Sequence, residues 1–341
     1  MVASEFVKAR LPLELKQRVK ALSESQLLSE STWLKRLVVR EVQAADGAKT
    51  EGFEIGVSAC AKRPKEWVVP TMKNEKRKRQ FVFSTHNANI SGATLADLDL
   101  RRLKNYFAHV REQDVPADED EAAWTTLLFN ADLMAEDGIT VAGILLFGRT
   151  PNRFLPQAGI DASAFPGLNK DYAARERSAL RGPMTPLLSD ANEIVEAGLV
   201  EQALAFTNRN IPVTGQLEEG GARREEVSAY PMEAVREAVV NALVHRDYLL
   251  SGTDIELSIY EDRMEIVSPG RLPNGITPPR MLTGCRAARN QLIKDVMRDY
   301  RYLEHSGMGV PRKIVKCMKE HNNTEPVLIE DGERFTVRLL R

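Results

Sequence analysis

Cysteine is scarce in this chain. Cys60, Cys285 and Cys317 are the only three in 341 residues, and they lie far apart with no metal-ligand or redox spacing. That excludes a disulfide framework and a zinc module, and it reads as reduced thiols of a cytoplasmic protein. Charge of one sign is also missing: 47 Lys and Arg stand against 48 Asp and Glu, a net charge of −1. No global field therefore draws nucleic acid, and any such affinity has to come from a local patch. Long apolar runs are absent as well. Nothing approaches the ~20 residues of a membrane span, and the opening MVASEFVKAR has no apolar signal core, so no membrane partner is expected. What is present, 43% hydrophobic and 28% charged residues, suits a globular protein of two or three domains.

Pattern divides the chain into residues 1–45, 46–92, 93–225 and 226–341. In the first segment FVKARL alternates, with Val7, Ala9 and Leu11 on one side and Phe6, Lys8 and Arg10 on the other, as in a short strand. Helical spacing follows over Leu13–Ser25 (Leu15, Val19, Leu22) and over Thr32–Gln43 (Trp33, Leu34, Leu37, Val38). Residues 46–92 carry little pattern beyond a linker-like AADGAKTEG and the basic run NEKRKR, and charged runs are usually solvated. In the connector region 93–225, TLADLDLRRLKNYFAHV predicts one amphipathic helix and ADEDEAAWTTLLFNADLMAEDG a second, closed by Gly138. TVAGILLFG (140–148) reads as a buried strand with AGIDASAFPG (158–167) as its partner, and a long helix is expected at about 186–210. The last segment predicts a helix opening near Pro231, a hairpin of strands 254–262 and 263–270, helices in NQLIKDVMRDY and KIVKCMKEH, and closing strands PVLIED and RFTVRLL. Helices interleaved with paired strands suggest an α/β sandwich with helices on one face of a mixed sheet.

Two constellations in the last segment carry chemistry. Glu237 and Asn241 are one helical turn apart, so they stack on one face. A nucleotide site needs a carboxylate to orient and deprotonate water, and an amide oxygen to hold Mg²⁺ against phosphates. An ordinary amphipathic helix has the same spacing, and the motif alone does not separate the two. Further on, Ser306-Gly307-Met308-Gly309 opens a helix, where unpaired N–H groups and the dipole suit a phosphate. A tight turn with a cap would read the same way. His245-Arg246-Asp247 places a histidine, a cation and a carboxylate together. Consecutive residues point to different sides of a helix, so a helix end with local ion pairing is the plainer reading.

YPMEAVREAVVNALVHRDY, IELSIYEDRMEIVSPGRLPNGI, ARNQLI and LEHSGMGVPR, in that order, resemble the ATPase domain labelled RecG-like helicase carboxy-terminal, of the gyrase, histidine-kinase and MutL (GHKL) superfamily. The resemblance covers about residues 93–341, and ITVAGILLFGRTPNRFLPQAGIDASAFPG resembles the segment that joins this domain to an upstream Alba-like module in bacterial and archaeal regulators. The upstream module itself is absent. The resemblance implies an α/β fold, an α+β sandwich of the GHKL (Bergerat) type, binding ATP and Mg²⁺. It implies Glu237 as general base, Asn241 as Mg²⁺ ligand, Gly270 in the adenine-side loop, Gly307 and Gly309 in the phosphate loop, and Arg289 and Asn290 in a lid over the nucleotide. The family reads adenine with an aspartate two residues before the first glycine. Here Ser268 stands there, without charge, so Ser268→Asp would be expected to tighten ATP by about 1–2 kcal/mol. No GxxxxGK[ST] loop occurs, so a helicase motor is not expected.

Residues 1–45 resemble a ribbon–helix–helix module, in which two chains pair strands and lay the ribbon in the major groove of DNA. That resemblance implies a homodimer with Lys8 and Arg10 reading guanine edges. The expectation that joins these readings is an ATP-binding, DNA-associated transcriptional regulator, with Mg²⁺-dependent hydrolysis as a further step. Two alternatives stay open: an ATPase that remodels an unidentified protein partner, and a degenerate GHKL domain serving only for dimerisation.

Overall fold

The computed structural model describes residues 90, 92–217, 224–273, 275–284, 287–303 and 308–341. The expected strand and helices of residues 1–45, the basic run and Gly307 lie outside the described residues.

The first helix expected, over residues 94–110, is broken. Thr94 and Asp97 close a capping box around a single 3-10 turn, Leu95–Asp97. Asp99 then caps α1 (Leu100–Lys104) by accepting from the Arg101 N–H at 3.1 Å, and α1 runs into a π-helical turn, Asn105–Val110. Short polar side chains here satisfy backbone N–H groups and so restart the helix instead of continuing it. Helix α2 (Glu121–Asn130) stops eight residues before Gly138, because Asp132 turns left-handed at φ 57° and the chain enters the two-residue strands β1 (Met134–Ala135) and β2 (Gly138–Ile139).

TVAGILLFG is a helix, not a strand. In α3 (Val141–Phe147) every residue is buried, and a stretch that is apolar all round shows no period by which to tell strand from helix. Thr140 decides it: its hydroxyl accepts from the Gly143 N–H at 3.1 Å and donates to Asp132 O at 3.0 Å. Residues 158–167 do supply a strand, β3 (Ile160–Ala164), but its partners are other strands. The long helix expected from 186 begins only at Leu199. Before it, the turn around Asn192 (φ 62°) joins β5 (Leu187–Leu188) to β6 (Ile194–Glu196). Gly198, with Glu201 accepting its N–H, starts α4 (Leu199–Asn210). A hairpin of β7 (Val213–Leu217) and β8 (Arg224–Ser228) precedes α5 (Met232–His245), which opens at Pro231.

The central sheet has six strands in the order β11-β12-β10-β9-β3-β4, where β4 is Glu176–Leu180, β9 Ile255–Ile259, β10 Arg263–Pro269, β11 Val327–Asp331 and β12 Arg334–Leu340. All neighbours are antiparallel except β3 and β9, which run parallel with Ile160 opposite Ile255. Burial alternates along β3 and β10, so Ile160, Ala162 and Ala164 face inward with Met264 and Ile266, as in a sheet with one covered face. Helices α4 and α5 pack on it. The result is a mixed α/β fold. Helices α6 (Pro278–Leu282), α7 (Gln291–Asp299) and α8 (Lys316–Asn322) follow β10, α8 continuing a π-helical turn, Gly309–Val315. Among the described residues no helix is long and apolar enough to cross a membrane.

Candidate functional site

Helix α5 carries Glu237, Asn241 and His245 at four-residue intervals, one stripe on one face. All three line a cavity between α5, the sheet and the segments that follow β10. Ile266 and Ser268 of β10, Phe335 and Val337 of β12, and Leu272, Pro273 and Ile276 make the remaining wall mainly apolar. Asn241 donates its amide N–H to Glu237 Oε1 at 2.8 Å, which leaves the amide oxygen of Asn241 for another partner. Glu237 is 5% exposed, and the backbone of Gly309 lies against it: a Cβ at residue 309 would stand 1.9 Å from Glu237 Oε1. Only a glycine lets the chain cross the carboxylate so closely.

Ser268 and Gly270 also reach the cavity wall. Gly270 has φ 117°, and a Cβ there would meet Asp247 Cβ at 2.8 Å. Its N–H donates to Glu333 O at 2.6 Å, which fixes the strand end against the β11–β12 turn. The buried Ser268 hydroxyl donates to Ala242 O at 3.0 Å. An aspartate at this position would lose that bond, because an ionised carboxylate cannot donate and would face a carbonyl oxygen. Ser268→Asp should lower stability by about 1–3 kcal/mol, read as a lower melting temperature without nucleotide. A variant that melts with the wild type would show that the hydroxyl bond is dispensable.

Arg289 and Asn290 lie elsewhere. Arg289 pairs with Asp247 at 2.7 Å and donates to Arg271 O at 2.6 Å. Asn290 is fully buried and donates to Val244 O at 2.9 Å and Arg246 O at 2.8 Å, serving carbonyls at the end of α5. Neither lines the cavity. The structure thus brings Glu237, Asn241, Ser268, Gly270 and Gly309 together, while Arg289 and Asn290 tie the chain after β10 to the end of α5.

The trio His245-Arg246-Asp247 is split. Arg246 points into the interior and donates to the carbonyls of Asp247, Leu250 and Thr253, while Asp247 pairs with Arg289. His245 keeps part of its surface on the cavity, with its Nδ1 enclosed and without a partner among the described residues. Burial, with the Lys294 and Arg289 cations nearby, pulls its pKa from 6.5 down to about 4. The unfolded chain therefore binds a proton below pH 6.5 that the folded chain refuses until about pH 4, so stability is lost as pH falls through that window, on the order of 3 kcal/mol in all. His245→Gln should flatten this acid limb in melting curves taken from pH 7 to 4, and an unchanged limb would exclude His245 as its source.

Lys294 of α7 is a cavity residue that the sequence reading missed. The signal was its spacing: Asn290, Lys294 and Met297 follow helical periodicity on one side of α7, and the outer two are fully buried. Among the described residues no group of three or more His, Cys, Asp or Glu side chains could hold a metal ion.

Comparison with known proteins agrees over part of the chain. Residues 252–339 match the family model described as "Putative ATP-dependent DNA helicase recG C-terminal", which bears out the resemblance carried by the motifs in that segment. The fold is similar to the crystal structure of the DIP2311 protein from Corynebacterium diphtheriae, at 24% identity and a TM-score of 0.51. The match covers 75% of this chain and 47% of that one, so this chain spans about half of that protein's length. No curated protein matches.

Proposed function

Starting from a RecG-like C-terminal, ATPase-like domain in residues 252–339, we propose that the cavity beside α5 binds ATP with Mg²⁺ in the GHKL manner and hydrolyses it. The observation that carries this reading is the Glu237–Asn241 pair, hydrogen-bonded on one face of α5 and open to a mainly apolar cavity. The residues fit such a ligand. The free amide oxygen of Asn241 is a hard donor of the kind Mg²⁺ takes alongside phosphate oxygens. The apolar wall of Ile266, Phe335 and Val337 suits the faces of a nucleobase, with Ser268 at its polar edge. When bound, the metal neutralises phosphate charge. Glu237 accepts a proton from the attacking water, held in place by the Asn241 amide. Gly309 presents its backbone to the cavity where the π-helical turn begins.

The regulatory half of the proposal assigns DNA to residues 1–45, with Lys8 and Arg10 on the outward face of a ribbon shared by two chains. Nucleotide binding then shifts the dimer between two geometries and so its DNA affinity. A second reading, a dimerisation module that takes no nucleotide, is favoured by one observation: Ser268 carries no charge and spends its proton on Ala242.

Thermal shift separates the two. ATP should raise the melting temperature of the purified chain more with Mg²⁺ than without it, and Asn241→Ala should abolish that difference. A chain whose melting ATP leaves unchanged, with or without Mg²⁺, overturns the nucleotide reading.

A further inference from the structure

Helix α7 ends in a turn that glycine usually makes. The Arg301 N–H donates to Arg298 O at 2.8 Å, and the Tyr302 N–H reaches back to Met297 O at 3.0 Å, the paired closure of a Schellman motif. That closure holds residue 301 left-handed, at φ 63°, where a Cβ is strained and glycine is not. An exposed arginine stands there instead, and its guanidinium has no hydrogen bond or ion pair among the described residues.

Two more arginines meet it. Arg298, one turn earlier, and Arg111, at the end of the π-helical turn after α1, line the same open cleft with Val110 and Asp299. Arg111 sits over the Tyr106 ring, 5.9 Å from its centroid, and the Tyr106 hydroxyl donates to Asp299 at 2.8 Å. Asp295 pairs with Arg298 at 2.9 Å. The two carboxylates are thus engaged by Tyr106 and Arg298, and among the described residues the charges of Arg111 and Arg301 have no carboxylate partner. None of these residues lines the cavity beside α5.

We propose that Arg111, Arg298 and Arg301 form a second anion site, which takes a phosphate group. Planar guanidinium forks match phosphate oxygens two at a time. Arg111 is held over the Tyr106 ring, and the left-handed turn at the end of α7 carries Arg301 to the same cleft. A free phosphate and the phosphate of a nucleic-acid backbone present the same chemistry to this cleft.

The test uses the full chain, with inorganic pyrophosphate and a short random-sequence DNA duplex as probes, and the variants Arg301→Gly and Arg111→Gln. Arg301→Gly should melt no lower than wild type, since it relieves the strain, and yet bind at least one probe about tenfold more weakly, the worth of one charge-assisted contact. Arg111→Gln should lose affinity for the same probe. Loss confined to pyrophosphate identifies a free anion as the ligand, and loss for DNA identifies the backbone. Pyrophosphate held beside α5, or DNA held by residues 1–45, would not respond to either substitution. The proposal is overturned if both variants bind both probes as wild type does, or if wild type binds neither.

Discussion

Glu237→Gln should abolish ATP turnover and leave ATP binding nearly intact. Glutamine keeps the shape of the side chain, and its amide oxygen can still accept from Asn241, which now donates to Glu237 at 2.8 Å. What disappears is the proton acceptor. Removal of a general base costs about 10²- to 10⁴-fold in rate, whereas binding draws on the cavity wall and the Asn241 oxygen. The shape matters because the Gly309 backbone rests on this carboxyl group with no room for even a methyl between them. Glu237→Ala would change that packing and confuse two effects, so glutamine is the informative variant. Phosphate release and nucleotide affinity measured on one preparation decide the matter. Equal turnover in wild type and variant would remove Glu237 from the chemistry.

The largest loss of stability should come from Arg246, which touches no part of the cavity wall. Its side chain is fully buried and donates to three backbone carbonyls in the loop after α5, those of Asp247, Leu250 and Thr253. The guanidinium also lies over Tyr248, 4.9 Å from the ring centroid. Burial pushes its pKa down, while Tyr248, Asp254 and Asp247 act to hold the charge. Arg246→Ala empties a fully buried side-chain site and removes the donor to all three carbonyls, and should cost about 3–5 kcal/mol, roughly 10 °C in melting temperature for a unit of this size. Arg246→Lys should recover only part of this, since one ammonium cannot span three acceptors as a planar fork does. A variant within 2–3 °C of wild type would show that the loop finds other partners.

Legibility in the sequence followed the strength of local signals. Helix α5 and the β9–β10 hairpin were readable because Pro231 marks a start and alternation marks the strands. The Glu237–Asn241 pair was readable because one helical turn is a fixed distance. Helix α3 was not: residues 141–147 are apolar on every side, and the deciding cue was the single hydroxyl of Thr140. The long helix from 186 failed on turn chemistry, since Ser189 and Asn192 favour a hairpin over a helical turn. Asn290 and Ser268 drew attention as ligand contacts through the family resemblance, which implies a lid position for the one and the adenine-reading position for the other. Their buried hydrogen bonds to backbone carbonyls depend on chain crossings that no local pattern encodes.

The parallel pairing of β3 with β9 bears on the order in which this chain can assemble. Ile160 meets Ile255, and everything between them must be synthesised before that contact can form. During translation the β3–β4 hairpin waits with an open edge while α4, the β7–β8 hairpin and α5 emerge. Closing so long a loop ahead of its reward slows folding. A fragment beginning at residue 226, where the motif-bearing segment starts, would keep β9 to β12 and lose β3 and β4. It would leave the backbone of β9 bare along one side, an invitation to pair with another chain. Excised alone, that fragment should aggregate, whereas one that starts ahead of β3 retains its own partner for β9.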